Sequence, residues 1–324
     1  MSRLESPYMS ILSSPVAFEQ FELTAKRHLP VGADYSGAIA ITKDSAHKGL
    51  LHKLFKVAQL IHNFLFKIGC DTDLCHAMVV LKRVDTGDIN ARDQLVVAHS
   101  VTAGLKTTKV NYLDYPDNDV TGMLVYRPKH EGLRNLLAKY GNQTAYTIEK
   151  NIPANAEPGA YASAQVSFSF IKMVLSFFYK PKVLESPHHR ISKIAADLLM
   201  RRQLHNDKST EKEGFLCSGY ATSVLQGSML ICALKELDPT LDDASSVGGA
   251  VKFVGVTYGD RNALAARIHA KLMDETDPLH AFFNQNPILH LNPTYTISGF
   301  MAKKLDSHPV EPKPVIQEEY EKKS

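Results

Sequence analysis

The chain has little cysteine and no tryptophan, and it has neither a long apolar run nor a strong excess of one charge. Four cysteines in 324 residues are too few for a disulfide framework, which predicts a reducing compartment, or one entered from a reducing compartment. No run reaches the roughly 18 apolar residues of a transmembrane helix, and residues 1–20 lack the basic start and apolar segment of a secretory signal. A net charge of +3, with Lys and Arg mixed among acids, gives no indication of a nucleic-acid partner.

The common cofactor motifs are also missing. The chain has no Gly-x-x-x-x-Gly-Lys phosphate loop, no Gly-x-Ser-x-Gly elbow and no His-Glu-x-x-His zinc helix. Gly248 and Gly249 precede a predicted strand, whereas a dinucleotide-binding glycine motif follows one. Cys70, Cys75 and His76 resemble half of a zinc site, but no second ligand pair has suitable spacing. The sequence therefore predicts neither a metal nor an organic cofactor.

Hydrophobic residues make up 44% of the chain and charged residues 22%, which is typical of a soluble globular protein with a core. The apolar periodicities predict an α+β fold. A single domain is expected over 31–305, with a polar lead-in at 1–30, insertions at about 44–74 and 151–190, and a disordered tail at 306–324. The predicted strands are 35–42, 76–83, 94–101, 119–126 and 251–258; the predicted helices are 17–27, 47–68, 131–140, 191–206, 215–237 and 261–273, with a further short unit at 293–305.

Cys217 is the candidate nucleophile, because it lies at the start of a predicted amphipathic helix. The free amides of a first helical turn favour a thiolate and can bind an oxyanion. Gly214 permits close backbone approach, and Ser218 and Gly219 add little bulk around the sulfur. The alternative is a buried structural cysteine, as we expect for Cys232.

His76 is the candidate general base, since it follows a polar turn at the start of a predicted strand. A base must be oriented through its second ring nitrogen, and His99 in the adjacent strand is the first candidate for that role. Across an antiparallel pair, side chains on one face lie about 5 Å apart. Asp114 is a second candidate for the orienting residue and His130 a third.

This arrangement resembles the permuted papain-like superfamily of NlpC-type hydrolases, which includes the YiiX-like proteins and, more distantly, the lecithin:retinol acyltransferase-like enzymes. In both, the His strand precedes the Cys helix, the reverse of ordinary papain-like enzymes. The resemblance implies an antiparallel sheet packed against the Cys-bearing helix, Cys217 as nucleophile, His76 as base, His99 as orienting residue and Tyr35 near the oxyanion site. The segments that carry it are Ser36–Ile39, His76–Val80, Val97–Ser100 followed by Gly104–Leu105, Val125–Arg127, Phe215–Ser218 and Asn292–Thr294.

The chain departs from the family pattern at some of these positions. The connection from 43 to 74 is longer than the minimal pattern, and Leu216-Cys217-Ser218-Gly219 lacks the Asn-Cys-Glu-His of the acyltransferase branch. The missing Asn-Cys-Glu-His motif favours hydrolysis of a peptide, amide or ester through an acyl-enzyme over acyl transfer. Two alternatives stay open: a thiol acyltransferase, and a non-catalytic interaction protein that binds a hydrophobic partner or membrane surface through Val166–Tyr179.

The C-terminal octapeptide Gln317–Ser324 contains a cluster of acidic residues. It resembles the C-terminal translocation signals of bacterial type IV secretion effectors, and an ordinary solvated tail would have the same composition. The expected location is therefore cytoplasmic, or secreted through a C-terminal signal without a cleaved signal peptide.

Overall fold

A computed structural model describes residues 10–24, 34–44, 60, 64, 69–71, 73–84, 94–101, 104–111, 120–150, 186–202, 204, 217–293 and 296–312. The strands are β1 (Phe18–Thr24), β2 (Ile39–Asp44), β3 (Leu74–Val84), β4 (Gln94–Val101), β5 (Gly104–Asn111), β6 (Val120–Pro128), β7 (Val251–Phe253), β8 (Val256–Tyr258) and β9 (Val310–Pro312). The helices are α1 (Glu131–Lys150), α2 (Pro187–Leu199), α3 (Cys217–Leu237), α4 (Arg261–Met273), α5 (Pro278–Gln285) and α6 (Ser298–Asp306), with a 3₁₀ turn at Pro287–His290.

The described strands form a seven-stranded sheet in the order β5-β4-β3-β2-β6-β1-β9, and β7 pairs with β8 in a separate hairpin. All neighbours in the large sheet are antiparallel except β1 and β9. The predicted α+β class with an antiparallel sheet is thus confirmed.

Both faces of the large sheet are buried, and alternation along each strand assigns the side chains to them. In β3, Ala77 and Val79 face the core shared with the helices, whereas Met78 and Val80 belong to a second cluster on the other face. This accounts for the near-continuous apolar run in β3, because a strand buried on both faces has no polar side.

Helix α3 is the central helix of the larger core, and every residue from 217 to 234 is buried. It packs against α1, α2, β3 and β4. Among the described helices it alone has the length and mean hydropathy of a membrane-spanning segment, but its apolar window lies wholly inside the fold. Its composition is accounted for by burial on all sides.

Several elements match the predictions and others correct them. Strand β4 and helix α4 have the predicted bounds. The predicted helix at 17–27 is wrong, because residues 18–24 form β1 between β6 and β9. The lead-in assigned to 1–30 therefore contains a strand of the main sheet. Phe18 and Phe21 belong to the core clusters on opposite faces of the sheet, as expected of a strand that is buried on both faces.

At the C-terminal side, the single strand predicted at 251–258 is a hairpin, which reverses at Val254 and Gly255, both with positive φ. The predicted disorder from 306 is wrong for Val310–Pro312, which pair with β1. Helix α2 ends at Leu199, earlier than predicted, and α1 extends ten residues beyond the predicted end at 140.

Other predictions lie outside the described residues. These are the boundary at 151–159, the hydrophobic segment Val166–Tyr179 and the tail Gln317–Ser324. Of the helix predicted at 47–68, only Leu60 and Phe64 are described; both are helical and exposed.

A buried histidine joins the two ends of the described chain. His308 stacks edge-on against Phe18, its Nδ1 is 3.1 Å from the carbonyl of Val16, and its Nε2 accepts the amide of Ile288 at 3.3 Å. Burial lowers the pKa of His308 from 6.5 to about 4, assisted by the charge of Lys304.

This environment predicts acid sensitivity of the fold. Because the folded pKa of His308 lies below the unfolded value, its contribution is fully present above pH 6.5 and is lost as the pH falls toward 4. The loss amounts to roughly 3 kcal/mol of unfolding free energy for this group. Urea denaturation at pH 7 and at about pH 4.5 measures it. His308→Gln can keep both hydrogen bonds without titrating, and it should show a smaller difference between the two pH values; an equal difference would contradict this account.

Candidate active site

A β-bulge at Cys75 sets the position of His76. Thr42 pairs with His76 and Lys43 pairs with Leu74, so Cys75 is the extra residue on β3. The Thr42 Oγ1 atom lies 3.4 Å from Cys75 Sγ, and Thr42 is buried. A bulge bends the strand and changes the direction of its side chains, here at the residue before the candidate base.

His99 lies on the adjacent strand within hydrogen-bonding distance of His76. The last paired residues of β3 and β4 at this end are Val79 and Ala98. Continuing that register places His99 two positions from the partner of His76 and on the same face. The His76 Nε2 and His99 Nδ1 atoms are 2.9 Å apart, and the rings meet edge-on with centroids 5.1 Å apart. One proton is shared between these nitrogens, which leaves Nδ1 of His76 for another partner.

Cys217 meets the same end of β3 from the first turn of α3. Its Sγ lies 3.8 Å from the carbonyl oxygen of Cys75. Burial by itself raises the pKa of the Cys217 thiol, but the charge and hydrogen bond of His76, with the amides of Ala77 and Ser218, outweigh it and lower the pKa from 9.0 to about 7. The sulfur, the base and two amide donors thus converge beyond Val79 and Ala98, the last pair that joins β3 to β4 at this end.

The same helix carries a second cysteine beside a histidine, but the pKa of this thiol is raised instead of lowered. Cys232 Sγ lies 3.7 Å from His130 Nδ1. Burial, together with the charge of Glu236, raises the pKa of the Cys232 thiol to about 12, and burial lowers the pKa of His130. Cys232 lies in the last turns of α3, where carbonyl groups and not amides are left over. Proximity to an imidazole is therefore not enough to activate a thiol in this fold.

Exposure differs among the three side chains of the site. His76 is partly exposed, Cys217 retains 7% of its accessible surface and His99 retains 3%. The candidate base is thus the most accessible of the three, and the thiol and the candidate orienting residue are buried.

Tyr35, expected near the oxyanion site, lies in the second core cluster together with Met78 and Val80 of β3. Its ring packs edge-on against Phe21 of β1 at 5.3 Å. The backbone two residues later joins β3, since the amide of Gly37 donates to the carbonyl of Val80 at 2.8 Å. The role of Tyr35 at the oxyanion site stays a prediction.

Of the two other candidates for the orienting role, Asp114 lies outside the described residues and stays a prediction. His130 contacts Cys232, 15 residues (232 − 217) along α3 from Cys217, a distance of about 22 Å.

Sequence reasoning missed the backbone part of the site. The amide of Ala77 and the carbonyl of Cys75 both meet the thiol of Cys217, and their side chains carry no signal for such a role. The bulge that exposes them involves ordinary strand residues and is visible only in the pairing register.

Within the described part of the chain, no group of three or more His, Cys, Asp or Glu side chains is arranged to hold a metal ion. Protein-family models, curated proteins and solved structures gave no match to this chain.

Proposed function

We propose that this protein is a cysteine-dependent hydrolase of the peptidase or amidase type, with Cys217 as nucleophile, His76 as general base and His99 as the residue that orients His76. The observation that carries the proposal is the convergence of a thiol of lowered pKa with a histidine pair at the end of β3. A thiol with a pKa of about 7 is about half ionised at neutral pH, where an ordinary cysteine is a few per cent ionised.

The reaction follows from these positions. His76 accepts the thiol proton at Nδ1, and the Cys217 sulfur bonds to the carbonyl carbon of the substrate. The carbonyl oxygen becomes an oxyanion, which the backbone amide of Cys217 at the start of α3 can bind. The imidazolium then donates its proton to the leaving amine, the C–N bond breaks and a thioester remains. His76 next takes a proton from water, the hydroxyl oxygen attacks the thioester, and the carboxylic acid and the thiol are released.

We also propose a permuted papain-like fold for the domain. The order of a His strand followed by a Cys helix, and the packing of α3 against the antiparallel sheet, support it. Helix α6 and strand β9 follow the Cys helix in the chain and extend this arrangement. The substrate of such a site would be a peptide, an amide or an ester.

An activated ester tests the covalent step without knowledge of the natural substrate. Incubation with p-nitrophenyl acetate should release a burst of p-nitrophenolate and leave one acetyl group on the protein. Peptide mapping should locate that group at Cys217 and leave Cys232 unmodified. Acetylation elsewhere, or none in folded protein, would favour the non-catalytic alternative.

The same experiment separates hydrolysis from acyl transfer. With glycine methyl ester added, a hydrolase returns mostly acetate, whereas a transferase returns mostly the N-acetyl amine. We expect acetate as the main product.

A further inference from the structure

The thiol and the imidazole are carried by elements from opposite halves of the chain, and one short segment contacts both. This segment is the start of α6 with the two residues before it, Thr296–Gly299, here named the 296–299 clamp. All four residues are buried or nearly so, and α6 packs against both α3 and β3.

On the thiol side, the clamp is fixed to the first turn of α3. The Ser218 hydroxyl donates a 2.5 Å hydrogen bond to the carbonyl of Thr296, and both residues are at most 2% exposed. The Thr296 hydroxyl in turn donates to the carbonyl of Asn292 at 2.7 Å. The backbone amide of Ser218 is one of the two that favour the Cys217 thiolate. Ser218 therefore contacts both partners, Thr296 through its hydroxyl and the Cys217 sulfur through its amide.

On the imidazole side, the clamp meets the backbone that leads into β3. A Cβ atom added to Gly299 would collide with the carbonyl oxygen of Asp71 and crowd the sulfur of Cys70. Asp71 lies five residues (76 − 71) before His76. Only glycine permits this approach of two backbones, and any larger residue must displace the segment that enters the bulge.

From these contacts we infer that the 296–299 clamp positions the thiol and the imidazole relative to each other, with Ser218 and Gly299 as its two attachment points. Neither residue is placed against the substrate. The inference rests on the proposed function and extends it to residues that act through Cys217 and His76.

The test is the pH dependence of alkylation of Cys217 by iodoacetamide, followed by peptide mapping so that the four cysteines are distinguished. In the native chain the rate should rise with a midpoint near pH 7, the value of the Cys217 pKa. Ser218→Ala and Gly299→Ala should each raise that midpoint by about one pH unit and slow alkylation at pH 7 about five-fold. Ser218→Thr keeps a hydroxyl and should restore most of the native midpoint.

Two variants in the same helix serve as matched controls. Ser228 is fully buried, and its hydroxyl has no hydrogen-bond partner among the residues that the structure describes, so Ser228→Ala should leave the midpoint unchanged. Gly227 faces the side chains of Leu198 and Ile194, so Gly227→Ala should lower the melting temperature without moving the midpoint.

The possible failures are distinguishable. A native midpoint near the ordinary thiol value would overturn the proposed function and the clamp with it. A native midpoint near pH 7 that neither Ser218→Ala nor Gly299→Ala moves would overturn the clamp alone. If Gly299→Ala does not fold, Ser218→Ala decides between these outcomes, since loss of one hydroxyl removes no core volume of consequence.

Discussion

Cys217→Ala is expected to abolish covalent turnover while leaving the protein folded. The burst of p-nitrophenolate should disappear, and steady release should fall at least about 10³-fold, because Cys217 carries the thiol whose pKa is lowered by His76. The replaced side chain is small and lies at the start of α3, so the unfolding free energy should change by about 1 kcal/mol or less. Pre-steady-state absorbance and urea denaturation of the same preparation measure the two effects.

Cys232→Ala is the matched control for this variant. It removes a thiol from the same helix, equally buried and also beside a histidine, but one whose pKa is raised to about 12. We expect native burst amplitude with a stability loss of about 1 kcal/mol. A burst that survives Cys217→Ala and disappears in Cys232→Ala would identify Cys232 as the nucleophile and contradict the proposed role of Cys217.

Much of the fold could be predicted from the sequence, because strands and helices with one strong apolar period determine their own type. Strand β4 and helix α4 are examples, with bounds that follow from period and flanking polar residues. Strand β1 was predicted as a helix, because seven residues with two phenylalanines and two glutamates fit either period. Residues 18–24 form a strand because they pair with β6 and β9, and no local sequence pattern encodes that pairing.

For the site, the sequence indicated the three side chains but not what brings them together. His76, His99 and Cys217 were each marked by position at the start of an element or on an adjacent strand. The geometry depends on the bulge at Cys75 and the register of β3 with β4, and both are set by long-range pairing. For Tyr35, the sequence did not indicate its packing against Phe21 of β1 in the second core cluster, which is also set by long-range pairing.

The sequence distinguishes Cys217 from Cys232 by position, because it predicts Cys217 at the start of a helix and Cys232 as a buried structural cysteine. Both thiols lie in α3, and each has a histidine within contact range. The sequence does not indicate the contribution of the Ala77 amide, a backbone donor from another element that helps to lower the pKa of Cys217. A backbone donor of this kind is identified only once the fold is known.

His76→Ala is expected to give the largest loss of thiol reactivity. Without the imidazole, burial dominates and the pKa of Cys217 should return to 9 or above, because His76 supplies the main opposing effects. The thiolate fraction at pH 7 then falls from about one half to about one hundredth, so alkylation should slow about 50-fold. Acetyl turnover should fall further, by about 10³-fold or more, since proton transfer to the leaving group is also lost.

The His99 variants separate positioning from proton transfer in this prediction. His99→Asn can still hydrogen-bond to Nε2 of His76, and it should retain most of the alkylation rate with a modest loss of turnover. His99→Ala removes the partner that lies 2.9 Å from His76 Nε2 and with it the bond that orients the imidazole, so turnover should fall about 10- to 100-fold. If His99→Ala lowers turnover as much as His76→Ala does, His99 itself carries the proton and the assigned order of the two histidines is wrong. If neither His76→Ala nor His99→Ala affects the rate of alkylation at Cys217, the two histidines do not lower the pKa of its thiol and the proposed site is wrong.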